Sequence, residues 1–76
     1  MKELVEFLAQ SLVKTPNAVD VREVETERGL LIELRVDSTD MGAIIGRRGR
    51  TANALRSIVS AASKKNDRLV RLEIVD

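Results

Sequence analysis

Ile44-Ile45-Gly46-Arg47-Arg48-Gly49-Arg50 is the stretch on which the fold of this chain turns. Two glycines bracket two arginines, and a pair of isoleucines leads into them. Glycine adopts backbone dihedrals closed to other residues and lets a second backbone approach without a Cβ in the way. Gly46-Arg47-Arg48-Gly49 therefore predicts a tight loop. Gly46 stops any helix leading into it. A second helix opens near Arg50, with Leu55, Ile58, Val59 and Ala62 at i, i+3, i+4 and i+7 as its core face. The two guanidinium groups suit bidentate contact with phosphate. The helix N-terminus that follows favours an anion through its unpaired amides and positive dipole end, and Arg50 adds a third cation there. A lone GxxG is also an ordinary helix–helix turn; the arginines and the helices on either side distinguish the two.

Upstream, Ser38, Thr39 and Asp40 are all good N-cap residues and predict a short helix over 40–45. Ile44 and Ile45 cannot both face the core from so short a helix: one packs inward and the other lines a groove beside the loop. Leu30, Ile32, Leu34 and Val36 alternate with Leu31, Glu33 and Arg35, the pattern of a strand. Val19, Val21 and Val24 alternate with charged residues over 19–26, but the phase slips between Val21 and Val24. That slip predicts a bulge or a strand start near Arg22. Arg28-Gly29 supplies the turn that joins both runs as an antiparallel hairpin. The opening segment, 2–13, sets Leu4, Phe7, Leu8 and Leu12 on one helix face, with Phe7 assigned to the core. Pro16 with Asn17 ends that helix.

Downstream, Lys64 and Lys65 sit in the last helical turn, where cations suit the dipole, and Asn66 is a left-handed stop. From Leu69 to Val75 the alternation returns, with Val70, Leu72 and Ile74 on one face. The order α-β-β-α-α-β gives one α+β domain over residues 1–76, a three-stranded sheet packed on one face by three helices.

Composition narrows the function. A domain of 76 residues buries only about 60% of the surface its unfolded chain exposes, so oligomerisation is a natural source of extra burial. The 43% hydrophobic content suits a globular core. There is no Cys and no His, which removes disulfides, thiolate–imidazole zinc sites, the best thiol nucleophile and the commonest general base. No GxxxxGK[ST] loop is present, and Glu23, Glu25 and Glu27 read as solubilising residues along a strand edge. No catalytic residue, metal ligand or cofactor is expected. No apolar run reaches the roughly 18 residues of a membrane span, and the start lacks a basic n-region, so a cytoplasmic protein is expected. Net charge is +1, but it is polarised: residues 1–43 carry five basic and nine acidic residues, whereas 44–76 carry eight and three. Between Ile44 and Asn66 six Lys or Arg occur without an acid. This is an electropositive surface facing a polyanion, or else a solvated helix face.

The run from Ile44 to Arg50, continued by Ala54-Leu55-Arg56, resembles the (V/I)-I-G-x-x-G core of KH domains. The whole chain, to its closing Arg71-Leu72-Glu73-Ile74-Val75, is similar to the small bacterial KhpA family of single-KH RNA-binding proteins, and its element order is the type II KH arrangement. Thr51 and Ala52 depart from the pattern, since many KH domains carry a larger aliphatic residue there. The resemblance implies a grip on about four nucleotides of single-stranded RNA, the loop holding the backbone and the bases lying along an apolar groove. Without Trp or Tyr, aromatic stacking platforms are not available. Ile45 is the first choice to pack on bases and Asn53 a polar contact, giving the set Ile45, Gly46, Arg47, Arg48, Gly49, Arg50 and Asn53. The resemblance also implies an RNA chaperone or post-transcriptional regulator in RNA metabolism or in the control of cell elongation, division and shape. It further implies a homodimer or a heteromer with a larger KH protein called KhpB, Jag or EloR.

Two other classes compete with this reading. Ala54, Ile58 and Ala61 form a small-residue stripe beside the core face of the last helix, so a protein-interaction or dimerisation module with a vestigial GxxG is one alternative. Helix-turn-helix DNA binding fits less well, because the first helix is only about six residues and the cations sit on the loop itself. Single-stranded DNA remains open as a ligand for the same clamp.

Overall fold

The computed structural model describes residues 1–65 and 68–75. Its elements are α1 (Lys2–Leu12), β1 (Asp20–Thr26), β2 (Gly29–Arg35), α2 (Met41–Ile45), α3 (Arg50–Lys65) and β3 (Val70–Val75), with single 3₁₀ turns at Pro16–Ala18, Ser38–Asp40 and Arg47–Gly49. The predicted stop at Asn66 lies outside the described residues. The α+β class and the α-β-β-α-α-β order are those expected.

Strand β2 is central. It pairs antiparallel with β1, from Asp20 opposite Arg35 to Thr26 opposite Gly29, and parallel with β3. A parallel neighbour requires a crossover, and α2 with α3 supplies it. Leu30, Ile32 and Leu34 of β2 lie opposite Val70, Leu72 and Ile74 of β3, so their side chains share the face that meets the helices. Ile32 and Leu34 are completely buried there, and Val5, Ala9, Val21, Ile44, Leu55 and Val59 are buried with them. Helix α1 lies over β1 and β2, and α3 over β3.

Four local expectations are corrected. The pairing of β1 with β2 runs unbroken, so there is no bulge near Arg22. Val21 faces the helices and Val24 the opposite surface, so the slip of phase is a change of face. In α1 the buried residues are Val5 and Ala9, with Leu8 partly buried, while Phe7 is 67% exposed. The small side chains face the sheet and the bulky stripe of Leu4, Phe7 and Leu12 faces out. In α3 the inward face is Ala52, Leu55, Val59 and Ser63, and Ile58 points outward at 41% exposure. Finally, Asp40 does not cap α2 with its side chain. It is buried, and its carboxylate accepts bonds from the amides of Lys14 and Thr15 at 3.1 Å each.

The turns have local causes. Thr26 Oγ1 donates to the Gly29 carbonyl (2.8 Å) and accepts from the Arg28 amide (3.2 Å), closing a two-residue hairpin loop. Gly29 begins β2 at φ +124°, and a Cβ there would clash with the Leu69 carbonyl that accepts from Leu30 N. Among the described residues no helix is long and apolar enough to cross a membrane.

Candidate nucleic-acid interface

Helix α2 lasts five residues because Gly46 turns the chain away at φ 75°, ψ 174°. Its amide still closes the last helical turn onto the Gly42 carbonyl (2.8 Å), after which the backbone folds into the 3₁₀ turn Arg47–Gly49. Gly49 N donates to the Gly46 carbonyl at 3.2 Å, and Arg50 N to that of Arg47. Three of the four turn residues have positive φ: Gly46 at 75°, Arg48 at 56° and Gly49 at 73°. Arg48 is the only non-glycine residue with positive φ among those described. Such backbone costs about 1 kcal/mol or more and persists where its surroundings hold it. Here the restraint is visible, since a Cβ on Gly46 would collide with the side chain and amide of Thr51. The first turn of α3 therefore sits directly against the loop.

This arrangement concentrates positive charge at one place. Arg47, Arg48 and Arg50 are all exposed, and none takes part in an ion pair among the described residues. They surround the N-terminus of a sixteen-residue helix, where the dipole adds to their field. The amides that close the turn are those of Gly46, Gly49 and Arg50, and those of Arg47 and Arg48 lie outside these bonds. Planar guanidinium groups on a left-handed loop, beside a helix N-terminus, can hold a phosphate.

The isoleucine pair divides as its spacing requires. Ile44 is completely buried and Ile45 is 40% exposed, on the helix that delivers the loop. Asn53 is exposed with its Nδ2 beside Gly49. The structure thus brings together Ile45, Gly46, Arg47, Arg48, Gly49, Arg50 and Asn53 within ten residues of chain. Two supports went unrecognised in the sequence. One is Thr51, which packs on Gly46; its position directly after the loop was the available signal. The other is Asp40, whose carboxylate ties the start of α2 to the segment after α1; its partners are 25 and 26 residues away, and no local pattern reveals them.

Residues 2–74 match the family model described as KhpA/KhpB, KH domain. The chain belongs to this family. It is 53% identical over 76 residues to the RNA-binding protein KhpA of Halalkalibacterium halodurans, with both chains covered completely. It is 48% identical over 75 residues to the protein of the same name from Clostridium perfringens, covering 99% of this chain and 100% of that one. With that of Borreliella burgdorferi the identity is 46% over 74 residues, covering 97% and 90%. The type II KH domain so identified carries its GxxG motif as Gly46-Arg47-Arg48-Gly49. Ala52, where many KH domains have a larger aliphatic residue, is buried on the inward face of α3, and Thr51 is half-buried against the loop. In this KH domain Ala54, Ile58 and Ala61 are all exposed on α3, away from the core face.

Proposed function

We propose that this KH domain is a non-catalytic RNA-binding protein that grips about four nucleotides of single-stranded RNA with its GRRG turn. The observation that carries the reading is the set of three exposed arginines at the N-terminus of α3, two on the turn and one beside it, none in an ion pair among the described residues. Arg47 and Arg48 hold phosphates, and Arg50 and the first amides of α3 add to the field. Gly46 lets the turn close against Thr51, and Gly49, with open space where a Cβ would go, lets the nucleic-acid backbone approach. Ile45 packs on a base and Asn53 offers a polar contact to one. The name RNA-binding protein KhpA, carried by full-length relatives, supports RNA over other polyanions. Cellular work as an RNA chaperone or post-transcriptional regulator in the cytoplasm is part of the same reading.

A single clamp of this size binds modestly, and two clamps on one strand raise avidity without new contacts. The exposed Ala54–Ile58–Ala61 stripe supports a homodimer, or a heteromer with a second KH protein, through α3. Fluorescence anisotropy with labelled single-stranded RNA, single-stranded DNA and duplex RNA tests the ligand class. Single-stranded RNA is expected to bind best, with log affinity falling against log salt by about 0.7 per phosphate held. Equal affinity for duplex, or no salt dependence, would overturn the reading.

A further inference from the structure

Ser60, Ser63, Lys64, Arg68 and Leu69 line an open depression at the C-terminal end of α3. It lies about 20 Å along the helix from the Gly46–Gly49 turn, at about 1.5 Å per residue. Between the two, Asn53, Ser57, Ser60 and Lys64 follow one another at i, i+4, i+7 and i+11, all exposed. At about 100° per residue these four fall on one straight strip of the helix surface. The strip begins against the turn, where Asn53 Nδ2 lies beside Gly49. It ends at the depression, whose lip is Leu69, 57% exposed.

The chemistry of the strip is uniform: an amide, two hydroxyls and an ammonium, within a stretch from Ile44 to Asn66 that holds no acid. Lys64 takes part in no ion pair among the described residues. Arg68 is anchored, its amide donating to the Ser63 carbonyl at 3.2 Å and its guanidinium engaging the Glu25 carboxylate. That contact neutralises a charge that would repel an anion. Cations in a last turn also answer the helix dipole, but the dipole explains neither the depression nor a leucine left in water beside it.

We propose that a single strand gripped by the turn continues along this strip, and that the depression is a second nucleotide site. A phosphate there sits on Lys64 and the Ser60 hydroxyl, and a base lies against Leu69. Beyond Asn53 the strip offers backbone contacts and no array of base-reading groups, so it lengthens the footprint without adding sequence preference. The inference rests on the RNA reading given above and extends its footprint to about twice four nucleotides.

The test compares labelled oligouridylates of about five and about ten nucleotides, the shorter able to fill only the turn. Wild-type protein, Ser60→Glu and Lys64→Glu are titrated by anisotropy, with circular dichroism melts as a check on folding. All three are expected to bind the short oligomer within about twofold of one another. The ratio of long to short affinity is expected to be about tenfold larger for wild type than for either variant. Both variants share the wild type's gain in binding registers, so that statistical gain cancels. An equal ratio in wild type and variants overturns the second site while leaving the clamp intact. Failure of wild type to bind either oligomer overturns the RNA reading itself.

Discussion

Gly46 is the residue on which the site most depends. Its φ of +75° lies in the left-handed region, and any Cβ would meet the Thr51 side chain and amide. Gly46→Ala is therefore expected to destabilise the domain by about 1–3 kcal/mol. Thermal melts followed by circular dichroism check this, and Gly49→Ala serves as comparison. Gly49 shares the positive φ but has open space where its Cβ would go, with only Asn53 Nδ2 at 3.9 Å. Its replacement is expected to cost less in stability. Asp37 works at the same scale. Bonds from the Thr39 amide (2.9 Å) and hydroxyl (2.8 Å) hold its exposed carboxyl below the usual range. With the folded pKa depressed, its contribution is present at neutral pH and is lost as pH falls through that lowered value.

Among the elements, α1 shows how far periodicity reaches. Its length, its end before Pro16 and its amphipathic nature were legible, but two apolar stripes compete on its surface. Side-chain bulk favours Leu4, Phe7 and Leu12, whereas the close approach of α1 to the sheet selects Val5 and Ala9. Sequence alone does not contain that distance. Phe7→Ser is accordingly expected to change stability by no more than about 0.5 kcal/mol, and Val5→Ala to cost about 2 kcal/mol. Urea denaturation of both variants decides between the two faces. The strands were easier to read, because a period of two against one covered face leaves no comparable tie. Val24 was misread only because an outward valine on edge strand β1 looks like a break in register. The loop was legible because glycine and arginine carry its chemistry themselves. Its supports, Thr51 and Asp40, were not, since each acts through a contact that exists only after folding.

For the whole molecule, small size and polarised charge set the behaviour. Helix α3 carries both the polar strip and the exposed stripe of Ala54, Ile58 and Ala61, and on the proposed reading the first meets nucleic acid and the second a partner protein. Ile58→Glu is expected to leave the fold intact, because Ile58 is outside the core, and to shift the sedimentation of a homodimer to that of a monomer. An unchanged sedimentation coefficient for a dimeric wild type would move the interface elsewhere.

The central claim is that the Gly46–Gly49 turn holds the RNA backbone, and the affinity of Arg47→Asp with Arg48→Asp for single-stranded RNA tests it most directly. Both side chains are exposed and form no ion pair among the described residues, so the melt of the double variant is expected to match wild type. The account predicts a loss of binding of about a hundredfold or more, close to 3 kcal/mol. A double variant that is folded and binds RNA as tightly as wild type would contradict it.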